Sequence, residues 1–219
     1  GGTLTDWGRS ITVDEWGNVY TTGEFQGTVD FDPGSYVSSL TSYGGDDIFI
    51  SKLDANGNFV WARQLGGAYD DRGRSIVTDE LGYVYTTGLF TETADFNPGA
   101  SSFNLSSLGG DDIFISKLDN DGNFKWALQL GGYYDDIAYS ITMDTLRNLF
   151  LTGQFESTAD FDPGTGMYIL NAQGSEDIFI TKLAHSTIGI DEDNTILSLN
   201  VFPNPTSGQI KVQLDNVNK

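Results

Sequence analysis

The residues that could do chemistry in this chain are mostly carboxylates, and they come at fixed places. Asp30 and Asp32 precede a Pro-Gly pair; the same arrangement returns as Asp95 and Asn97, and again as Asp160 and Asp162. Paired oxygens beside such a turn could hold Ca²⁺, a hard cation that takes about six to eight oxygen ligands. Asp at this position also caps a turn without any metal, by accepting hydrogen bonds from its own backbone. Two oxygen-bearing side chains per turn are few for a full calcium shell, and Asn97 in place of a carboxylate suits either reading.

A second acidic set is Asp54-Ala55-Asn56-Gly57-Asn58, which returns as Asp119-Asn120-Asp121-Gly122-Asn123. The second copy is similar to the opening of a helix-flanked calcium loop. That loop needs a bidentate Glu further on, and Leu128 stands six residues past the glycine, so the expectation is a hairpin turn. The pairs Asp46-Asp47, Asp111-Asp112 and Glu176-Asp177, with Asp70-Asp71 and Asp135-Asp136, fall at the beginnings of strands. They could give one rim a negative potential. The milder reading, preferred here, is that they discourage pairing between sheet edges. Trp61 returns as Trp126, which suggests packing between units. Trp7 and Trp16 do not return, and unrepeated aromatics are the better candidates for stacking on a sugar.

Catalysis finds little support. His185 is the only histidine and lies beyond the last strand of the third unit. The nucleophile elbow, the zinc-protease pair and the phosphate loop have no counterpart in the sequence. Two carboxylates suffice for a glycosidase, but here the acids follow the repeat, and catalytic acids should break it. The chain is therefore expected not to be an enzyme.

The elements that position these residues follow from that repeat. DIFISKLD at 47–54 returns at 112–119 and, as DIFITKLA, at 177–184, each step being 65 residues. The Asp-Pro-Gly turn and Ser10-Ile11 recur at the same spacing. Each unit reads as four short strands, represented by 9–14, 18–25, 47–54 and 59–67. Their alternating apolar and β-branched residues carry this reading. Asn-Gly and similar pairs supply the tight turns between them. A further strand is expected near Val37–Ser42, inside the long connection from Gln26 to Asp46. Tandem four-stranded antiparallel units are the signature of propeller blades, and a β-solenoid is the competing architecture. The fold class is accordingly all-β: a partial β-propeller of about three four-stranded blades, followed by the beginning of a small β-sandwich-like module. The units are 1–66, 67–131 and 132–184, with a linker at 185–195 and the new module at 196–219.

Composition narrows the partners. The 219 residues carry 31 Asp and Glu against 11 Lys and Arg, a net charge of −20. Such a chain is repelled by nucleic-acid phosphates and by anionic membrane surfaces. With no cysteine it forms neither disulfides nor thiolate metal sites. No apolar run approaches the ~20 residues of a membrane-spanning helix. No cofactor is expected apart from calcium at the turns named above. Gly1-Gly2 aligns with Gly66-Gly67, the tail of a fourth strand, and the third unit halts after its third strand. The expectation is that further blades lie upstream and that one blade is completed by strands from both ends.

Two resemblances add to this reading. LDANGNFVWARQLGG (53–67) followed by SIVTDELGYVYTTG (75–88) resembles the SBBP-type β-propeller repeats of Bacteroidetes and related bacteria, and the likeness covers residues 1–184. It implies an extracytoplasmic propeller with no defined ligand. VFPNPTSGQIKVQL (201–214) looks like the start of the C-terminal sorting domain of type IX secretion substrates. That implies engagement of the type IX machinery and an address outside the cell or on its outer surface. The resulting expectation is a secreted or cell-surface binding or scaffold module whose protein or glycan ligand is unknown. The alternative is a fragment of a polysaccharide-degrading enzyme with its active site in other blades.

Overall fold

In each unit, apolar residues alternate along short β-branched runs, and Asp-led turns close the hairpins between them. Asp14 Oδ1 accepts the amides of Trp16 and Asn18, and Asp79 does the same for Leu81 and Tyr83. Such turns bring consecutive strands back antiparallel. The computed structural model describes residues 1–185 and 196–203, with side chains over 1–184.

The first unit contains β1 (Asp6–Val13), β2 (Val19–Phe25), β3 (Thr28–Asp30), β4 (Ser39–Thr41), β5 (Asp47–Leu53) and β6 (Phe59–Gly67). Strands β1, β2, β5 and β6 form one four-stranded antiparallel sheet in that order. Strands β3 and β4 form a small hairpin beside it; β4 is the additional strand expected near Val37–Ser42, and β3 was not foreseen. The second unit has β7 (Arg72–Thr78), β8 (Val84–Asp95), β9 (Asn104–Leu118) and β10 (Phe124–Gly132) in the same order. The third has β11 (Asp136–Met143), β12 (Leu149–Asp160) and β13 (Ile169–His185). The chain is thus all-β over its described residues, an arc of propeller blades.

The extra length of the 65-residue unit goes into the hairpin that ends in the Asp-Pro-Gly turn. In the second and third blades this hairpin is continuous with the blade, because β8 and β12 run straight on into it. Backbone at Gly27, Glu92 and Ser157 takes positive φ at the corner between blade and hairpin. One repeated aromatic trio anchors it. Phe31 meets Phe25 and Phe49 at 5.4 and 5.0 Å, Phe96 meets Phe90 and Phe114 at 5.4 and 5.1 Å, and Phe161 meets Phe155 and Phe179 at 5.5 and 4.8 Å.

The cores lie between blades. One cluster joins Tyr20, Ile50, Trp61 and Leu65 of the first blade to Ile76, Phe90 and Phe114 of the second. Another joins Ile113 and Leu130 of the second to Ile141, Phe155 and Phe179 of the third. This is how a propeller buries its apolar faces, each blade covering the next. Trp61 packs here as its repetition suggested: it is buried and its Nε1–H donates to Asn120 O at 3.0 Å, on the β9–β10 turn of the next blade.

Strand β14 (Ile196–Pro203) pairs antiparallel with β13, from His185 opposite Ile196 to Phe179 opposite Pro203. It takes the fourth-strand place of the third sheet, where the sequence reading put the opening of a separate module. Alternating apolar residues suit both roles, and register alone distinguishes them. His185, expected beyond the last strand as the first residue of the 185–195 linker, is instead the last residue of β13; the rest of that linker and the segment 204–219 lie outside the described residues.

Candidate functional site at the inner strands

Among the described residues, strands β1, β7 and β11 each pair with a neighbour on one side only, and they lie against one another in turn around the inside of the arc. Each carries a bulge at the same place. Gly8 pairs with Gly23 and Ser10 with Thr22, leaving Arg9 as the extra residue. Arg74 and Tyr139 are the extra residues of the second and third blades. A bulge of this kind re-aims a side chain and is common beside functional sites. The glycine that ends each Val-Tyr-Thr-Thr-Gly-like run makes the bulge possible. A Cβ on Gly23, Gly88 or Gly153 would strike the backbone carbonyl of Trp7, Arg72 or Ile137 on the bulged strand.

The frame repeats, with Arg at the bulge in the first two blades and Tyr in the third, but the residue facing the bulge changes in every blade. Arg9 reaches Glu24 through a forked contact, Nε to Oε1 at 2.9 Å, Nε to Oε2 at 3.1 Å and Nη2 to Oε1 at 2.5 Å. In the third blade the matching pair is Tyr139 and Gln154, whose hydroxyl and amide oxygen are 2.7 Å apart. In the second blade Leu89 holds the place of Glu24 and cannot pair with an arginine. Arg74 therefore turns to the neighbouring blade, its Nη1 lying 3.9 Å from Glu24 Oε1, while its buried Nε finds no partner. Glu24 is almost fully buried, and burial pushes its carboxyl above the usual range against the pull of Arg9, Arg74 and Arg72. Trp7 is half exposed, with the Arg9 guanidinium 4.0 Å from its ring centre, and Tyr139 is also half exposed.

A different carboxylate arrangement sits between blades. Asp47, Asp71, Asp112 and Asp136 have no exposed surface, so they do not act as edge guards, the role preferred for them from sequence. Asp47 Oδ2 accepts from the Tyr43 amide and Gln64 Nε2, and Asp71 accepts the amides of Gly67 and Thr91. Asp112 and Asp136 repeat the pattern with Leu108, Gln129, Gly132 and Glu156. Each pair closes around a glycine with positive φ, Gly66 at 146° and Gly131 at 150°. A Cβ on Gly131 would lie 2.9 Å from Asp112 Oδ1 and 3.0 Å from Asp136 Oδ2. Oδ1 of Asp47 and of Asp112 is buried without a hydrogen-bond partner. Burial pushes Asp71 to about 8, Asp136 to about 7, and Asp47 and Asp112 to about 6 against the hydrogen bonds they accept, with a smaller push from Asp47 on Asp71, from Asp112 on Asp136, and from Asp46 and Asp111 on Asp47 and Asp112. The partner of Asp47 and Asp112 across each pair belongs to the following blade, so these groups couple adjacent blades. Their side-by-side dipeptides were visible in sequence; their burial depends on how the next blade docks.

The residues named for calcium are engaged in turns. Asp30 Oδ1 accepts the amides of Asp32 and Ser38 at 3.1 and 2.9 Å, and Asp32 Oδ1 accepts that of Gly34. Asp95 and Asn97 repeat this with Asn97, Phe103 and Gly99, and Asp160 and Asp162 with Asp162, Tyr168 and Gly164. Those amides hold the Asp30 carboxyl below its ordinary range. Among the described residues no group of three or more His, Cys, Asp and Glu side chains gathers as a metal site. The Asp119–Asn123 segment is a hairpin turn, with Asp119 Oδ1 accepting the amides of Asp121 and Asn123. Its Asn120 also meets Lys52, Trp61 and Tyr20 of the preceding blade.

Comparison with known proteins agrees with the repeat. Residues 1–24, 60–89 and 125–154 match the family model of the SBBP beta-propeller repeat. An uncharacterized WD repeat-containing protein of Acanthamoeba polyphaga mimivirus is 26% identical over 200 residues, covering 79% of this chain and 14% of the relative. The regulatory protein FlaEY of Caulobacter vibrioides is 23% identical over 183 residues, covering 84% of this chain and 18% of the relative. The chain thus spans less than a fifth of the length of either relative.

Proposed function

We propose that this chain is part of a secreted or cell-surface binding and scaffold module. The observation that carries the reading is the inner bulge, a backbone feature kept in all three blades that presents Arg9, Arg74 and Tyr139 in turn. A constant frame with varied side chains suits recognition, because specificity changes while packing does not. The WD-repeat wording of one relative and the repeat match are consistent with that role. Export through the type IX machinery is supported by the likeness of residues 201–214 to a sorting domain. Removing 204–219 from the full-length protein, which leaves β14 in its sheet, is expected to abolish its appearance outside the cell, as read by fractionation.

Glu24 favours a second reading. It is a buried carboxylate that breaks the repeat, Leu89 and Gln154 standing at the matching places. A polysaccharide-degrading enzyme could use such a group, but a glycosidase needs a second carboxylate across the bond it cleaves. The forked pair with Arg9 favours binding. A glycan-array and pull-down screen run beside a broad glycosidase assay separates the two. Saturable binding without turnover is expected; turnover that disappears in Glu24→Gln establishes the enzyme instead.

A further inference from the structure

Three of the five arginines of this acidic chain, Arg9, Arg72 and Arg74, lie on two of the three inner strands, β1 and β7. Arg72 is committed to Asp46 and Asp70, at 3.0 and 2.8 Å. Arg9 and Arg74 share the single carboxylate of Glu24, which leaves one positive charge over and the Arg74 Nε without a partner. The arginine fork matches a carboxylate in shape as well as in charge. The Trp7 ring stands beside the Arg9 guanidinium and Tyr139 lies near enough to Arg74 to act on its charge; both rings are half exposed, surfaces of the kind on which a sugar face packs. A net charge of −20 repels a long polyanion but admits one acid on an otherwise neutral chain. Trp7 and Tyr139 depart from the repeat, and Arg9 and Arg74, though they share one column, meet there on a Glu24 that has no counterpart in the other blades.

We propose that Arg9 and Arg74, flanked by Trp7 and Tyr139, bind the carboxylate of a uronic-acid unit on a largely neutral glycan. This rests on the binding-module reading and names its ligand class. Glu24 then acts as an internal stand-in, holding the arginines in place and giving up part of its claim on Arg74 when ligand arrives.

The test is calorimetric titration of the whole chain with aldotriouronic acid, one glucuronate on a xylobiose, beside neutral xylotriose and a peptide carrying a single Asp. Saturable binding of the acidic sugar is expected, with xylotriose weaker by about tenfold or more, the scale of one charge-assisted contact. Arg74→Met should lose about tenfold in affinity by the same reasoning. Lys125→Ala, which removes an equal charge elsewhere, should leave the affinity unchanged. Glu24→Gln should tighten binding, because it releases both guanidinium groups. If Arg74→Met fails to fold by circular dichroism, Arg74→Lys keeps the charge without the fork and should still bind several-fold more weakly.

The proposal is overturned if the acidic sugar does not bind, or binds no better than xylotriose. It is equally overturned if the folded Arg74 variant binds as tightly as the parent, or if the Asp peptide matches the acidic sugar, which would indicate a protein partner. In each of these cases saturable binding of another ligand on the array leaves the broader module reading intact. Turnover of glycan would remove that reading instead.

Discussion

The carboxylates between blades and the carboxylate on the inner strands are both buried, yet they are held in opposite ways. Asp47 faces Asp71 and Asp112 faces Asp136 in the same geometry at two successive junctions, carboxyl group against carboxyl group. Glu24 occurs once and faces two guanidinium groups. Repetition marks the first arrangement as part of how blades join: each junction needs the same polar closure around the same glycine. Singularity marks the second as something added to a frame already complete. In a tandem fold, departures from the repeat therefore point to function more directly than burial or altered acidity does, because both arrangements share those last two properties.

The largest expected effect comes from filling the space on which the inner bulge depends. Gly88→Ala would drive a Cβ into the Arg72 carbonyl, and a loss of about 3–4 kcal/mol is expected in urea unfolding, the range of severe core substitutions. Gly131→Ala tests the other region. It combines a left-handed backbone with a Cβ 2.7 Å from Asp112 Cγ, and about 2–3 kcal/mol is expected. If both variants were as stable as the parent, neither arrangement would be set by its glycine.

Acidity separates the regions further. The interblade acids have native values of about 6 to 8, against 3.8 for an unperturbed Asp. Between those values the native chain holds protons that the unfolded chain has released, so stability falls as pH rises. The melting midpoint should be highest near pH 4–5, decline up to about pH 8 and then level off. Asp112→Asn should flatten that decline and stabilise by about 1 kcal/mol at pH 8, because an amide donor replaces the unpartnered Oδ1 beside Asp136. A decline as steep as the parent's would mean that the pairs do not cause it.

Two smaller effects bound the comparison from outside. Glu92 sits at the corner between blade and hairpin with φ at 58°, and Glu92→Gly should stabilise by less than about 1 kcal/mol, the relief of left-handed strain being partly offset by added chain entropy. Calcium at Asp30, Asp32 and their counterparts is checked by melting with and without EDTA. A midpoint lowered by the chelator supports the ion, whereas an unchanged one leaves these residues as caps of their turns.

Much of the blade was legible before any coordinates. The strands expected at 47–54 and 59–67 are β5 and β6 to within a residue, because alternation and Asn-Gly turns are local properties. Trp61 was placed between units on repetition alone. The inner cluster was missed, although a signal for it existed. Aligning the three units puts Arg9, Arg74 and Tyr139 in one column and Glu24, Leu89 and Gln154 in another. Nothing local marks position 9 as a bulge, however, and nothing places Glu24 within reach of a neighbouring blade's arginine.

The amino-acid order by itself determined the period, the strands, their turns and the acidic character, since all of these depend on residues a few positions apart. Docking of one blade on the next decided the rest. It buried Asp71 and Asp136 beside acids some 24 residues away and turned Arg74 toward Glu24, while pairing within the third sheet set β14 beside β13. Desolvation and charge pairing depend on distances in space, and in this fold those distances exist only once neighbouring blades cover each other's faces.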